Sequence, residues 1–412
     1  MVHIRPFRAL RYNPQIVGEL RRVIAPPYDV IDAQGQEQLY QQSPYNIVRL
    51  ILGKQYPDDT EQNSRYTRAR HDFDAWCEGG ALRLDETPAL YLVEHTFSDQ
   101  GQARSRLGCI ALLGLDDDTV RSVYRHEATL AAPKADRTKL LEAVPANLSP
   151  IFCLYPDAGG TIQAALQGAA KAAPVAEAAL ANEAVRLWAV TDSAVVQQVQ
   201  RHLASVAVLI ADGHHRFEVA CSKRAQYPAV MAYFVSMEDP ALVMRPIHRI
   251  LHHTGGLDAR ALRELCLVEP VQSLEVLTPW LSDVRGAGRF GWYDGRTLNR
   301  VTVTDVTLAQ WRQAPTVAPA LATLDVSLLH GLILPRLGVA AGSIRYTASS
   351  ADALAAVDRG QGTGAWLLRR MPLADVFALA SNGLTLPPKS TYFYPKVLSG
   401  LTINPLAAVP VH

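Results

Sequence analysis

The chain has 412 residues, enough for roughly two to four domains, and carries 40 Lys+Arg against 39 Asp+Glu, a formal net charge of +1. That balance excludes a strongly basic nucleic-acid coat and an acidic disordered tail, and 49% hydrophobic against 19% charged residues excludes a disordered chain. No window approaches about 18 uninterrupted apolar residues, Met1–Pro6 has no apolar signal core, and the five dispersed cysteines give neither a disulfide framework nor a zinc pattern. The expectation is a cytoplasmic protein with no membrane span.

In chain order, Arg5–Leu10 reads as an entry strand and Ala25-Pro26-Pro27-Tyr28-Asp29 as a rigid extended loop, because two prolines fix φ and remove donors. The β-branched run Asn46–Leu52 predicts a strand. Tyr66, Ala69, Phe73 and Trp76 fall on one face of a helix over 60–79, stopped by Gly79-Gly80. Ala89–Phe97 turns at Asp99-Gln100-Gly101 into Arg106–Leu113, a hairpin. A helix over Asp136–Val144 and a strand over Ile151–Tyr155 follow, and the alanine-rich stretch Ala164–Ala181 reads as partly helical. Strands are expected at Ser205–Ile210 and Val230–Met237, with a helix over Arg216–Arg224 between them. Beyond residue 256, helices (Ala259–Leu267, Asp325–Leu337, Ser349–Arg359) mix with strands (Phe290–Tyr293, Arg300–Val303, Gly364–Leu368). The alternation predicts an α/β or α+β fold with mixed sheets, divided into units 1–105, 106–255 and 256–412.

The most informative segment is Val208-Leu209-Ile210-Ala211-Asp212-Gly213-His214-His215-Arg216-Phe217-Glu218. An apolar strand runs into an Asp-Gly turn, and a helix opens on His-His-Arg. A helix start offers unpaired N–H groups and about half a positive charge. Gly213, His214, His215 and Arg216 there make a candidate anion pocket, with phosphate as the expected guest. Asp212 is useful beside a phosphate if it carries Mg²⁺ or accepts a proton from a substrate hydroxyl. The bland alternative is a capping Asp with surface histidines. A zinc site is disfavoured, since helical metal pairs prefer i, i+4 spacing.

Elsewhere, Arg125-His126-Glu127 offers a general base in Glu127, against the alternative of a solvated loop acid. Lys134, Asp136 and Arg137 form either a phosphate clamp or a helix start. Pro387-Pro388-Lys389-Ser390-Thr391-Tyr392-Phe393-Tyr394-Pro395-Lys396 is stiffened by prolines and pinned by aromatics, so Lys389 is either a fixed charge toward phosphate or an exposed residue of a packed strap. Gly286–Gly291 matches G-x-G-x-x-G formally, but a strand and an Asp294-Gly295 turn follow it where a dinucleotide site needs a helix. No Walker motif and no G-x-S-x-G elbow is present.

Ile4-Arg5-Pro6-Phe7, Ala25–Val30, Arg125–Glu127, Asn147–Phe152, Ala211–Arg216 and Pro387–Lys396 together resemble a prokaryotic family of unknown function, DUF1015, in the family's order from residue 4 to 404. Met244-Arg245-Pro246-Ile247-His248-Arg249 departs from the Leu-Pro-Thr-His-Arg-like run of that pattern, which leaves no hydroxyl there. The Asp-Gly-His-His-Arg turn is similar to the phosphate-binding turn of the ParB/sulfiredoxin-like superfamily, whose free-serine kinases carry a catalytic Glu upstream. The resemblance implies a ParB/sulfiredoxin-like phosphate-binding core within a longer chain. It also implies an ATP- or ADP-dependent kinase for a small hydroxyl compound, with free L-serine, giving O-phosphoserine, as the first candidate. Glu127 would then be the base. Asp212–Arg216 would hold the nucleotide phosphates and Mg²⁺, with His126, Arg137, Lys389 and Ser390 completing the clamp. The competing expectations are a ParB-like nucleotide-binding regulator and a metal-dependent hydrolase using Asp212, His214 and His215. The near-zero charge argues against direct nucleic-acid binding, and the sequence does not specify an oligomeric state.

Overall fold

In the computed structural model, which describes residues 1–252, 258–283, 287–314 and 317–408, the turn at Asp99–Gly101 joins the antiparallel strands Leu90–Asp99 and Gln102–Gly114. Gln100 and Gly101 take φ of 51° and 78°, the two-residue turn whose twist matches the strands it connects. This hairpin belongs to the larger of two compact units, formed by Met1–Tyr124, Thr129–Leu242 and Pro395–His412; the smaller comprises Arg125–Ala128 and Val243–Tyr394. The expected three-unit division is corrected on this point. A boundary at 105/106 would cut a strand whose ladder runs unbroken from Ile110 to Gln102, and the boundary at 255/256 lies outside the described residues.

The sheet of the larger unit contains β1 (Ile4–Arg5), β2 (Leu90–Asp99), β3 (Gln102–Gly114), β4 (Val123–Tyr124), β5 (Ile151–Tyr155), β6 (Ala176–Ala179), β7 (Glu183–Val190), β8 (Val208–Asp212) and β9 (Ala229–Ser236). Their order is β4-β8-β5-β9-β3-β2-β7-β6, with β1 on β3. The sheet is mixed: β8 is parallel to β4 and antiparallel to β5, and β5 is parallel to β9. Five helices matter to the site: α1 (Arg65–Glu78), α2 (Ala131–Ala143), α3 (Thr161–Ala169), α4 (Ser193–Ala204) and α5 (His214–Ser222).

One core lies against the sheet, where Ile162, Leu166, Val199, Leu203 and Phe217 meet Val208 and Ile210. A second joins α1 and α2 through Ala69, Phe73, Trp76 and Leu140. Helix α1 begins at a Ser64/Thr67 capping box and ends at Gly79, with Gly80 at φ 70°.

Two local expectations change. Asn46–Leu52 is not a strand: Val48–Ile51 forms a helical turn, with Asn46 Oδ1 accepting from Val48 N at 3.0 Å. A short apolar run fits either period, and burial of Val48, Leu50 and Ile51 in the second core decides it. The alanine-rich stretch is helical only in α3; its end is the edge strand β6, paired to β7.

In the smaller unit, six strands form a wholly antiparallel sheet: β10 (His248–Leu251), β11 (Cys266–Val271), β12 (Arg289–Tyr293), β13 (Leu298–Val303), β14 (Ile344–Thr347) and β15 (Gly364–Leu367), in the order β11-β13-β12-β15-β10-β14. Trp366 is fully buried between Phe290 and Trp292, with ring centroids at 5.7 and 5.0 Å. Cys266 and Leu267, expected at a helix end, open β11 because they pair with Val303 and Thr302. Gly286 lies outside the described residues, and the G-x-G-x-x-G match runs into the β12–β13 hairpin, turned at Gly295 with φ 86°. The chain is thus α/β with both mixed and antiparallel sheets. Among the described residues, no helix is long and apolar enough to cross a membrane.

Candidate phosphate-binding site

β8 carries Asp212 at its carboxyl end, and the register against β5 shifts between Ile210, opposite Cys153, and Asp212, opposite Phe152. The extra residue is Ala211, a bulge of the kind that re-aims a side chain at the end of a strand. Gly213 follows at φ 93° and α5 starts at His214. A Cβ at Gly213 would lie 3.0 Å from Arg216 Nη2 and 3.1 Å from its Nε. Gly213→Ala is therefore expected to cost about 1–2 kcal/mol of stability from the left-handed backbone alone, read by thermal denaturation, and to displace the Arg216 guanidinium. An unchanged melting curve would contradict this reading of the turn.

The carboxylate of Asp212 lies between two cations. Arg216 Nη2 donates to Oδ2 at 2.8 Å and the Lys396 ammonium donates to Oδ1; the three side chains are 11–14% exposed. Arg216 is held at a second point, its Nη1 donating to Pro150 O at 2.6 Å. Burial raises the Asp212 pKa, but Lys396 and Arg216 outweigh it and hold the carboxyl below the ordinary carboxylate value.

A similar arrangement stands nearby on α1 and α2. Asp136 accepts from Arg65, from Tyr66 Oη at 2.7 Å and from Arg137 Nε at 2.7 Å. Tyr28 links the two groups: the Arg137 guanidinium lies 3.9 Å from its ring centroid, and its phenol feels the charges of Arg137, Arg216 and Asp212. A cavity of about 70 Å³ is lined by Tyr28, Arg137, Asn147, Ser149 and Arg216.

Four cations and two carboxylates leave an excess of two positive charges in this part-buried cluster; the exposed Asp29 beside Tyr28 reduces it to one. Uncompensated buried charge is costly. A preformed positive excess at a helix start is suited to a phosphate.

The expected residues divide between the two units. Asp212, Gly213, His214, His215, Arg216 and Arg137 belong to the larger. His214 is buried at the first position of α5. His215 Nε2 accepts from Leu130 N at 2.9 Å, which places that ring's proton on Nδ1. Glu218 holds Thr129 Oγ1 at 2.6 Å and Lys134 Nζ at 3.0 Å.

Arg137 is mostly engaged within the fold, with Nη1 on Ile51 O at 2.9 Å and the rest on Asp136 and Tyr28. It contributes charge to the cluster more than a free donor. Mg²⁺ on Asp212 does not fit: both carboxylate oxygens face cations, so a divalent ion would meet a net positive site. Among the described residues, no group of three His, Cys, Asp or Glu side chains is arranged to hold a metal.

His126, Glu127, Lys389 and Ser390 belong to the smaller unit. His126 Nε2 lies 2.8 Å from Thr391 Oγ1, Leu386 N donates to His126 O, and Lys389 N donates to Glu127 Oε1 at 3.3 Å. Lys389 has φ 57°, and its carbonyl accepts from the buried Arg249 at 3.2 Å. Ser390 Oγ donates to Pro387 O at 2.5 Å. The strap is thus pinned through its main chain while the Lys389 side chain is exposed.

Residues 4–327 match the model of a family described as a protein of unknown function, DUF1015. The chain belongs to the DUF1015 family. No curated protein matches this DUF1015 chain. Among solved structures, a free serine kinase in complex with AMP is similar at TM-score 0.36 and 13% identity, covering 69% of this chain and 86% of that one. A conserved hypothetical protein from Pyrococcus furiosus gives 0.37 and 12%, covering 72% and 95%. SbnI with a C-terminal truncation, from Staphylococcus aureus, gives 0.39 and 12%, covering 72% and 87%. With TM-scores below 0.4, these likenesses say nothing about the chemistry of the DUF1015 site.

Tyr28 and Lys396 stand in motifs that the sequence reading singled out, but their roles depend on contacts 184 residues apart (Lys396 with Asp212) and are invisible to spacing. Asp136 stood in the Lys134–Arg137 segment, read as either a phosphate clamp or a helix start, and Arg65 carried no signal of this role.

Proposed function

We propose that this DUF1015 protein is a nucleotide-dependent small-molecule kinase whose phosphate site is the cluster around Asp212–Arg216. The observation that supports the reading is the excess of positive charge where Arg216 and Lys396 share the single carboxylate of Asp212 at the β8–α5 turn. Phosphoryl transfer demands positioning and charge neutralisation more than covalent help from the protein. Arg216 and the N–H groups at the start of α5 hold the phosphates of ATP or ADP, with His214 and His215 beside them. Glu127 accepts the proton of the acceptor hydroxyl as its oxygen attacks the terminal phosphorus and the bond to the leaving nucleotide breaks. Asp212 positions Arg216 and is not a metal ligand. Free L-serine is the first acceptor to test, from the similarity of the Asp-Gly-His-His-Arg turn to that of free-serine kinases.

The hydrolase reading needs Asp212 and His215 as metal ligands, and both are engaged in ion pairing or hydrogen bonding. A screen of ATP and ADP, with Mg²⁺, against hydroxy-amino acids and sugars tests the proposal. Consumption of nucleotide that requires one acceptor, with a phosphorylated product, is the expected result. Acceptor-independent hydrolysis, or none with any pair, would overturn it.

A further inference from the structure

We propose that Lys396 is a second phosphate-contacting cation of this site, held on Asp212 until the ligand arrives, and that Arg106 is the residue that positions it. The inference rests on the phosphate-site reading above and names a residue that the sequence motifs left without a role. Arg216 is fixed at both ends of its guanidinium, on Asp212 and on Pro150 O. Lys396 differs in kind: a compact ammonium with rotatable donors on a flexible stem can change partners without moving its backbone.

That backbone is anchored by a fully buried guanidinium. Arg106, on β3, donates from Nη2 to Pro395 O at 2.9 Å, one residue before Lys396. Its guanidinium carbon lies 4.9 Å from the Phe152 ring centroid and 5.7 Å from that of Tyr233. Asp239, whose Oδ2 accepts from Leu107 N at 3.4 Å, is an acid that interacts with its charge. Burying a guanidinium is costly unless it is hydrogen-bonded and paired, and this one donates to the carbonyl that starts the segment bearing Lys396.

The stem of Lys396 then spans from a rigid anchor to a carboxylate already neutralised by Arg216. When a phosphate enters, the ammonium moves from Asp212 Oδ1 to a phosphate oxygen, and Asp212 keeps Arg216 on Oδ2. No buried charge is left alone in either state. On this account a lysine supplies, at Asp212, the mobile positive charge that a divalent ion would otherwise bring.

Calorimetric titration of the full chain with inorganic pyrophosphate, in excess chelator, tests this. Wild type is expected to bind, Lys396→Met to bind about tenfold or more weakly through loss of one charge-assisted hydrogen bond, and Lys396→Arg to recover most of the affinity, with melting curves confirming that each variant is folded. Arg106→Gln should weaken binding in the wild-type background and add nothing once Lys396 is Met, the non-additivity of residues acting as one unit. Wild type that binds no pyrophosphate would overturn the phosphate site and this inference together. Wild type that binds, with Lys396→Met equally tight, would overturn the role of Lys396 alone. Additive losses in the double variant would remove Arg106 from the account.

Discussion

Asp212→Ala is expected to destabilise the protein by about 3 kcal/mol or more, because deleting the shared partner leaves two part-buried cations facing each other. Asp212→Asn, which keeps one acceptor oxygen, should cost less. The same carboxylate sets a pH dependence. Burial raises its pKa but the two cations lower it by more, so the folded-state value lies below the ordinary 3.8. A depressed folded pKa contributes stability that is fully present above the unfolded value and is lost as pH falls through the folded one. Urea melts of wild type and Asp212→Asn should therefore differ most near neutrality and converge as pH drops below about 4. A gap that widens on acidification would contradict the ion-paired assignment.

Glu127→Gln is expected to lower turnover by about 10²–10⁴-fold, the usual contribution of a positioned general base. Glutamine keeps a carbonyl oxygen for the Lys389 N–H that Glu127 accepts at 3.3 Å, so the strap should hold and the melting curve should not move. The substitution removes no group that holds the phosphates, so pyrophosphate affinity should be unchanged. Loss of turnover with intact phosphate binding separates base from phosphate holder. Full activity in the purified variant would remove Glu127 from that role.

These expectations show which parts of the molecule could be read from the chain. The β2–β3 hairpin and helix α1 were legible because a turn signal and a long periodic face each specify one local structure. The β8–α5 turn was legible because its residues are contiguous. Val48–Ile51 was misread because so short a segment (Val-Arg-Leu-Ile) has no period of its own, and β6 because the helix propensity of its alanines is overridden by the hydrogen bonds of the neighbouring strand. At the site, Asp212 invited a metal because a carboxylate beside an expected phosphate needs a cation between them. Its neighbours in space include Lys396, contributed by a segment that rejoins the larger unit only at Pro395. That return of the chain converts a presumptive metal ligand into the anchor of two cations. Arg65 and Arg137 add positive charge to the same cluster around Asp136, and Arg65 does so from a helix that carries no recognisable motif.

The central claim is that the cluster of Asp212, Arg216 and Lys396 is where a nucleotide's phosphates bind. A crystal structure of the full chain grown with ADP tests it most directly. The account predicts phosphate oxygens within hydrogen-bond distance of the Arg216 guanidinium and the Lys396 ammonium, beside the first N–H groups of α5. Bound ADP whose phosphates touch neither cation, with Lys396 still paired to Asp212, would contradict it.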